Sequence, residues 1–189
     1  MTGFLPMWGG RAHLLRLMLA FCVLGASLAS KTSVATDAYT EPAVKAAFIY
    51  RFTAYVDWPA DPKDAGQFTI AVLGDDEVAA SLQELAGSRT VRNRPIVVRR
   101  IASIRDARSV QVLYVGHDRR ADLRSLLEEL AGSHVLVITD DRSGLESGSA
   151  VNFLRADNRM RFEVSLPAAQ RAGLKVSAEL LSVAARVQQ

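Results

Sequence analysis

"FTIAVLGDDEVAASLQEL", residues 68–85, changes its hydrophobic period at one glycine, and that change decides the fold class. Phe68 to Leu73 is a short apolar run rich in strand formers, whereas Asp75 to Leu85 carries its apolar residues at helical spacing and stops before Gly87. Gly74 permits the turn between them, and Asp75 or Asp76 can cap the helix that follows.

The same unit recurs downstream. "PIVVRRI" (95–101) and "VQVLYV" (110–115) read as strands, Asp118 to Leu130 as a helix ending before Gly132, and "HVLVI" (134–138) as a further apolar run. Strands alternating with helices predict one α/β domain built on a largely parallel βαβ sheet, flanked by helices on both faces. After Asp141 the pattern changes. Ser149–Leu154 and Met160–Val164 flank "RADNR" and predict a C-terminal antiparallel hairpin at the sheet edge, with Phe162 and Val164 inward and Arg161 and Glu163 outward. The end of the chain predicts a short helix, a break at Gly173 and a second helix from Ser177.

Upstream, "AAFIYRFTAYVDWP" (46–59) holds five of the thirteen aromatic residues. Thr40 can cap a helix whose first turn has Glu41 and Pro42, and on a helical wheel Val44, Phe48, Phe52 and Tyr55 share one side, with Ala47 close by and Tyr50 away from it. Pro59 ends the helical pattern. Most of the ring surface is thus assigned to the core.

The first 36 residues have Arg11 and Arg16 before an apolar run from Leu17 to Leu24, no acid, and small residues at Ser27 and Ala29. We read residues 1–29 as a cleaved signal peptide, 30–40 as a flexible leader and 41–189 as the folded domain. The apolar run is shorter than the roughly 20 residues that span a bilayer, which argues against a retained anchor. The full chain of 189 residues has 23 basic and 20 acidic residues, a formal net charge of +3. Cleavage removes two arginines and the only cysteine, Cys22, and leaves a nearly neutral exported domain without disulfides. No excess charge remains to steer nucleic acid, which is excluded as a partner.

Three strands run directly into acids or histidine: Asp75 and Asp76, His117 and Asp118, Asp140 and Asp141. On a parallel sheet these ends share the edge where ligands bind, so a metal-dependent phosphotransfer or hydrolase site using Asp75, Asp76, Asp118 and Asp140 stays open. Helix capping explains the same residues individually. The motifs of nucleotide loops, zinc proteases, serine hydrolases and cysteine nucleophiles are missing, and His117 and His134 fall at opposite sheet edges. We therefore read the domain as a binding protein without catalysis, cofactor or metal. Tyr50, Trp58 and Phe153 offer ring surface for a partner, and Arg155, Arg161 and Glu163 offer charge.

The order "VKAAFIYRFTAYVDWP", "IAVLGDD", "NRPIVVRRI", "LYVG", "VLVITDD" and "VNFLRADNRMRFEVSLPAAQRAGLKVSAELLSVA" resembles the YfiR-like family of exported bacterial proteins, from about Ala43 to Ala184. The resemblance implies a periplasmic regulator, typified by a repressor that binds the periplasmic sensor portion of an inner-membrane diguanylate cyclase. Other relatives serve histidine kinases or related receptors. Our own reading adds a homodimer as the working state, with a small ligand open as an alternative input. Trp58, Asn152 and Phe153 match recurrent positions of the family. Ser165 stands where relatives commonly carry Asn, and the disulfides of some members have no counterpart here.

Overall fold

Three wholly buried strands form the centre of the domain in the computed structural model, which describes residues 40–59, 66–130 and 132–189. They are β2 (Phe68–Leu73), β5 (Val112–Val115) and β6 (Leu136–Thr139). Their continuous apolar sequences follow from burial on both faces. Phe68, Ile70, Val72, Val112, Tyr114, Leu136 and Ile138 pack on one side. Ala71, Leu73, Leu113, Val115 and Val137 pack on the other. Alternate side chains of a strand point oppositely, so a strand covered twice cannot afford a polar face.

The remaining elements extend this centre. In chain order they are α1 (Glu41–Phe52), β1 (Val56–Asp57), α2 (Asp76–Ala86), β3 (Thr90–Val91), β4 (Arg94–Ile101), α3 (Leu123–Glu129), α4 (Gly144–Ser147), β7 (Val151–Ala156), β8 (Arg159–Ser165), α5 (Leu166–Arg171), β9 (Lys175–Val176), α6 (Ala178–Val183) and β10 (Arg186–Gln188). The eight-stranded sheet has the order β10-β8-β7-β6-β5-β2-β4-β3. The pairs β4–β2, β2–β5, β5–β6, β6–β7 and β8–β10 are parallel, and β7–β8 and β3–β4 antiparallel. A separate two-stranded sheet pairs β1 with β9. The expected mixed α/β architecture with its C-terminal hairpin is therefore present.

Several local expectations need correction. Of the expected Val44–Phe48–Phe52–Tyr55 stripe, Phe52 is buried and Phe48 and Tyr55 pack half-buried against the core, but the fully buried side of α1 is Lys45, Ala46, Ile49 and Phe52, and Ala47 is exposed. The helix also ends at Phe52, with Thr53 as its C-cap, well before Pro59. The hairpin β7–β8 is not an edge, because β10 adds to β8 with Arg186 opposite Glu163. Glu163 is consequently buried rather than outward. The expected helix from Asp118 begins as a 3-10 segment, His117–Asp122, before α3. The signal peptide expected at residues 1–29 and the leader expected at 30–40 lie outside the described residues, apart from Thr40.

Caps are placed where the sequence puts hydroxyls and carboxylates. Thr40 Oγ1 accepts from the Ala43 amide at 3.4 Å, Asp75 Oδ1 from Val78 at 3.0 Å, and Ser177 Oγ from Leu180 at 3.3 Å. Ser165 Oγ caps α5 through the Ala168 amide at 3.4 Å.

Candidate functional site at the carboxyl edge of the sheet

The ends of β5, β6 and β7 and the start of α1 meet at one edge. There Lys45 points inward from α1, with its side chain only 6% exposed. Its ammonium lies 2.9 Å from Glu41 Oε1, one helical turn back, and also donates to Asp140 Oδ2 at the end of β6. Burial would by itself lower the Lys45 pKa; the hydrogen bonds to Asp140 and Glu41 outweigh it and hold the ammonium above its usual range. The Lys45 hydrogen bond in turn lowers Glu41, against a smaller opposing effect of burial. Arg155 Nη2 reaches the other Glu41 oxygen at 2.8 Å, so one carboxylate joins a buried and an exposed cation.

Beside this group, Asn152 organises a second network. Its Nδ2 donates to Glu163 Oε1 at 2.9 Å, and its Oδ1 accepts from Thr139 Oγ1 at 2.7 Å and from the Asp141 amide at 3.1 Å. Glu163 Oε2 accepts from Arg186 Nε at 2.8 Å and Nη2 at 2.7 Å. The strands β6, β7, β8 and β10 are thereby cross-tied through side chains as well as backbone. A cleft of about 630 Å³ opens over Asp140, Asn152, Arg155, Glu163 and Arg186.

The strand-end acids do not assemble into a metal centre. Asp75 caps α2 with one oxygen and accepts from the Tyr114 hydroxyl at 3.3 Å with the other. Burial, with Asp140 and Asp75 nearby, holds the Tyr114 hydroxyl far above its usual pKa. Asp76 is exposed and 3.6 Å from Arg100, His117 Nε2 sits 3.1 Å from Asp118, and Asp140 is held by Lys45. Among the described residues no three His, Cys, Asp or Glu side chains are grouped to hold a metal ion.

The six expected partner-binding residues separate into two sets. Trp58 is 8% exposed, with its indole N–H donating to the Gln111 carbonyl at 3.1 Å and its ring edge-on to Phe68 at 5.3 Å. Phe153 is 2% exposed and lies within a ring cluster with Phe48, Phe52 and Tyr114. Glu163, at 5%, is the third buried member. Tyr50 is half-buried beneath the Arg89 guanidinium, 5.6 Å from its ring centre, and Arg155 and Arg161 are exposed. Burial takes Trp58, Phe153 and Glu163 off the surface of the chain and gives them structural partners.

Sequence reasoning missed Lys45, Glu41 and Arg186. A usable signal existed for the first two. A lysine flanked by "AV" and "AAF", four residues after a glutamate, is the pattern of an intrahelical pair beside a buried stripe. The groove between α1 and α2, about 690 Å³ and lined by Val44, Ala47, Phe48 and Leu85, was also unforeseen, because the side of α1 that carries Val44, Ala47 and Phe48 is assigned to the core.

No curated protein matches the sequence. Among solved structures, a conserved domain protein from Vibrio cholerae O1 biovar El Tor str. N16961 superposes with a TM-score of 0.52 at 13% identity, over 79% of this chain and 60% of that one. The ABC domain from Streptococcus pneumonia in complex with L-Trp gives 0.52 at 12% identity, over 77% and 60%. At such identities the likeness is one of fold, and this chain spans only part of either protein. The model of the YfiR/HmsC-like family, by contrast, matches residues 42–185, from the first turn of α1 to the threshold of β10, and the chain belongs to that family.

Proposed function

We propose that this protein is a periplasmic regulatory binding protein that controls an inner-membrane signalling enzyme, such as a diguanylate cyclase, by binding its periplasmic sensor domain and holding it inactive. The observation that carries the reading is the family match across residues 42–185. The local chemistry supports it: the polar groups at the carboxyl edge of the sheet hold one another in ion pairs and hydrogen bonds. Export by a cleaved signal peptide, residues 1–29, delivers the domain at 41–189 to that compartment. Among the described residues no helix is long and apolar enough to cross a membrane. The working state is a homodimer, with Tyr50, Arg155 and Arg161 at the partner surface and Trp58, Phe153 and Glu163 supporting it from within.

The test is reconstitution. The exported chain is added to membranes carrying a diguanylate cyclase with a periplasmic sensor domain from the same organism, and cyclic-di-GMP synthesis is followed. A saturable fall in synthesis supports repression. A rise keeps the regulatory role but reverses its sign, and unchanged synthesis with no co-purification removes the cyclase as target.

The 630 Å³ cleft favours a second reading, a small-ligand sensor whose ligand tunes partner affinity. A ligand at about 100 times its Kd would add about 2.7 kcal/mol to stability, and a thermal-shift screen reads that directly.

A further inference from the structure

The strand β4 is eight residues long, but its neighbour β3 covers little of it. Thr90 pairs with Pro95 and Val91 with Arg94, and the Ile96 amide closes on the Arg89 carbonyl at 3.4 Å. Beyond that point, among the described residues, β4 is laddered to β2 alone. The Ile96 amide fixes which way the backbone faces. Because alternate amides of a strand share a direction, those of Val98 and Arg100 also point away from β2. An uncovered edge of this kind is a template for another strand.

The charge around that edge is predominantly positive, although Arg92 pairs with Asp57. Residues 89–108 contain seven arginines and one acid, Asp106, in a chain whose overall net charge is only +3. Arg99 and Arg100 are exposed near the end of β4, and as neighbours on a strand they flank its two faces. Arg105 and Arg108 are exposed in and after the 3-10 turn Ile104–Ala107 that follows. Among the described residues no carboxylate pairs with Arg99, Arg105 or Arg108, and Arg100 lies 3.6 Å from the exposed Asp76. Val97, Val98 and Ile101 are half-buried, so an arriving strand would also meet apolar surface.

Charged edges commonly prevent aggregation, and here the arginines do repel a second copy: pairing β4 with β4 would bring like charges together. The same charges attract an acidic strand, so one set of residues rejects one occupant and recruits another. We propose that the outer edge of β4, Ile96–Ile101 with Arg99 and Arg100, docks an acidic extended polypeptide segment that adds to the sheet as a further strand. This rests on the reading that the domain works by binding a protein, and it names the chemistry of the segment bound. Main-chain hydrogen bonds supply the grip and the arginines the selection.

The experiment uses the exported chain with a nine-residue peptide alternating valine and glutamate, monitored by amide hydrogen exchange and by titration. Binding should slow exchange at Val98 and Arg100 at least tenfold, and weaken as salt is raised. A peptide N-methylated on its pairing edge, or with lysine for glutamate, should bind at least tenfold more weakly. The variant Arg99→Glu/Arg100→Glu, checked for an unchanged unfolding midpoint, should lose the acidic peptide and accept the lysine one. Binding without protection of the two amides would overturn strand addition, as would no binding at millimolar peptide. Retention on phosphatidylglycerol vesicles, with no amide protection by peptide, would assign the arginines to a lipid surface and end the proposal. If the double variant stops binding peptide yet still alters cyclase output, the edge is not the regulatory contact while the proposed function stands. If wild-type protein leaves the cyclase unaffected but still protects these amides with peptide, the regulatory reading fails and strand docking survives.

Discussion

Lys45 and Asp140, ninety-five positions apart in the chain, form an ion pair that fixes the first helix of the domain to the end of a central strand. Lys45 is almost wholly enclosed, while Asp140 keeps a quarter of its side chain exposed. Removing one partner of a buried pair costs about 3–5 kcal/mol, and the partial exposure here argues for the lower end. Lys45→Ala should therefore destabilise the domain by about 3 kcal/mol in urea unfolding, while Lys45→Met combined with Asp140→Asn should recover much of that. An unchanged midpoint for Lys45→Ala would mean the pair contributes nothing net.

The same cluster sets a pH profile. Glu41 is held below its ordinary value of 4.5, so its contribution is present above that pH and is lost as the solution is acidified through the folded-state value. Lys45 is held above 10.5, so its contribution is complete below that pH and is lost on further alkalinisation. Tyr114, also raised, loses stability in the same alkaline direction. Unfolding midpoints should thus be flat between about pH 5 and 10 with respect to these groups and fall on both sides. Glu41→Gln should flatten the acid arm and also shrink the alkaline one, because Glu41 helps hold Lys45 above its ordinary value, whereas Tyr114→Phe should remove only its share of the alkaline arm.

Trp58 offers a discriminating pair of substitutions. Trp58→Phe keeps most of the ring contact with Phe68 but leaves the Gln111 carbonyl without the indole donor, a loss of about 1 kcal/mol. Trp58→Ala also opens a cavity and should cost about 3–5 kcal/mol. Loss of partner capture by Trp58→Ala should therefore track unfolding, measured on the same samples by near-UV circular dichroism. Tyr50→Ala, made at a half-exposed ring, should affect capture at constant stability if that surface meets the partner.

How far the fold could be read depended on whether a local pattern carried its own explanation. The apolar runs of β2, β5 and β6 did, because burial on both faces demands them. The β7–β8 hairpin did as well, since Asp157 and Asn158 adopt φ of 49° and 56°, a backbone that suits Asp and Asn. The β3–β4 hairpin was invisible because Arg92 occupies the corresponding left-handed position, φ 51°, and arginine announces no turn. Strands β1, β9 and β10 are two or three residues long and exist through distant partners, which no window of sequence reveals. Trp58 shows the same limit at a single residue: ring chemistry suits a core or an interface equally, and the Gln111 carbonyl decides between them.

Arg186 tests whether the last strand depends on its side-chain tie. Its guanidinium supplies two contacts to the buried Glu163, and the backbone of Ala185 donates to Phe162 at 2.8 Å alongside. Arg186→Ala would leave Glu163 with Asn152 as its remaining partner and should cost about 1–3 kcal/mol. Hydrogen exchange at Val187 and Gln188 should accelerate well before that in β5. Equal acceleration in both strands would show that β10 opens only with the whole domain.

Gly144 completes the Asn152 network by what it lacks. A Cβ built there would stand 2.3 Å from both Asn152 Oδ1 and Thr139 Oγ1, closer than any non-bonded contact allows. Both atoms are committed, Asn152 to Thr139, Asp141 and Glu163, so neither can swing aside without breaking a buried hydrogen bond. Gly144→Ala should therefore destabilise by about 2–3 kcal/mol, although alanine is the better helix former by about 1 kcal/mol. The distinguishing control is Asn152→Ala, which removes one of the two clashing atoms, releases Thr139 from its bond to it so that the hydroxyl can turn, and itself costs the network. In a double-mutant cycle the second substitution should add little to the first. Full additivity would mean that Gly144 and Asn152 act independently, and that the close approach of α4 to β7 is not what the glycine serves.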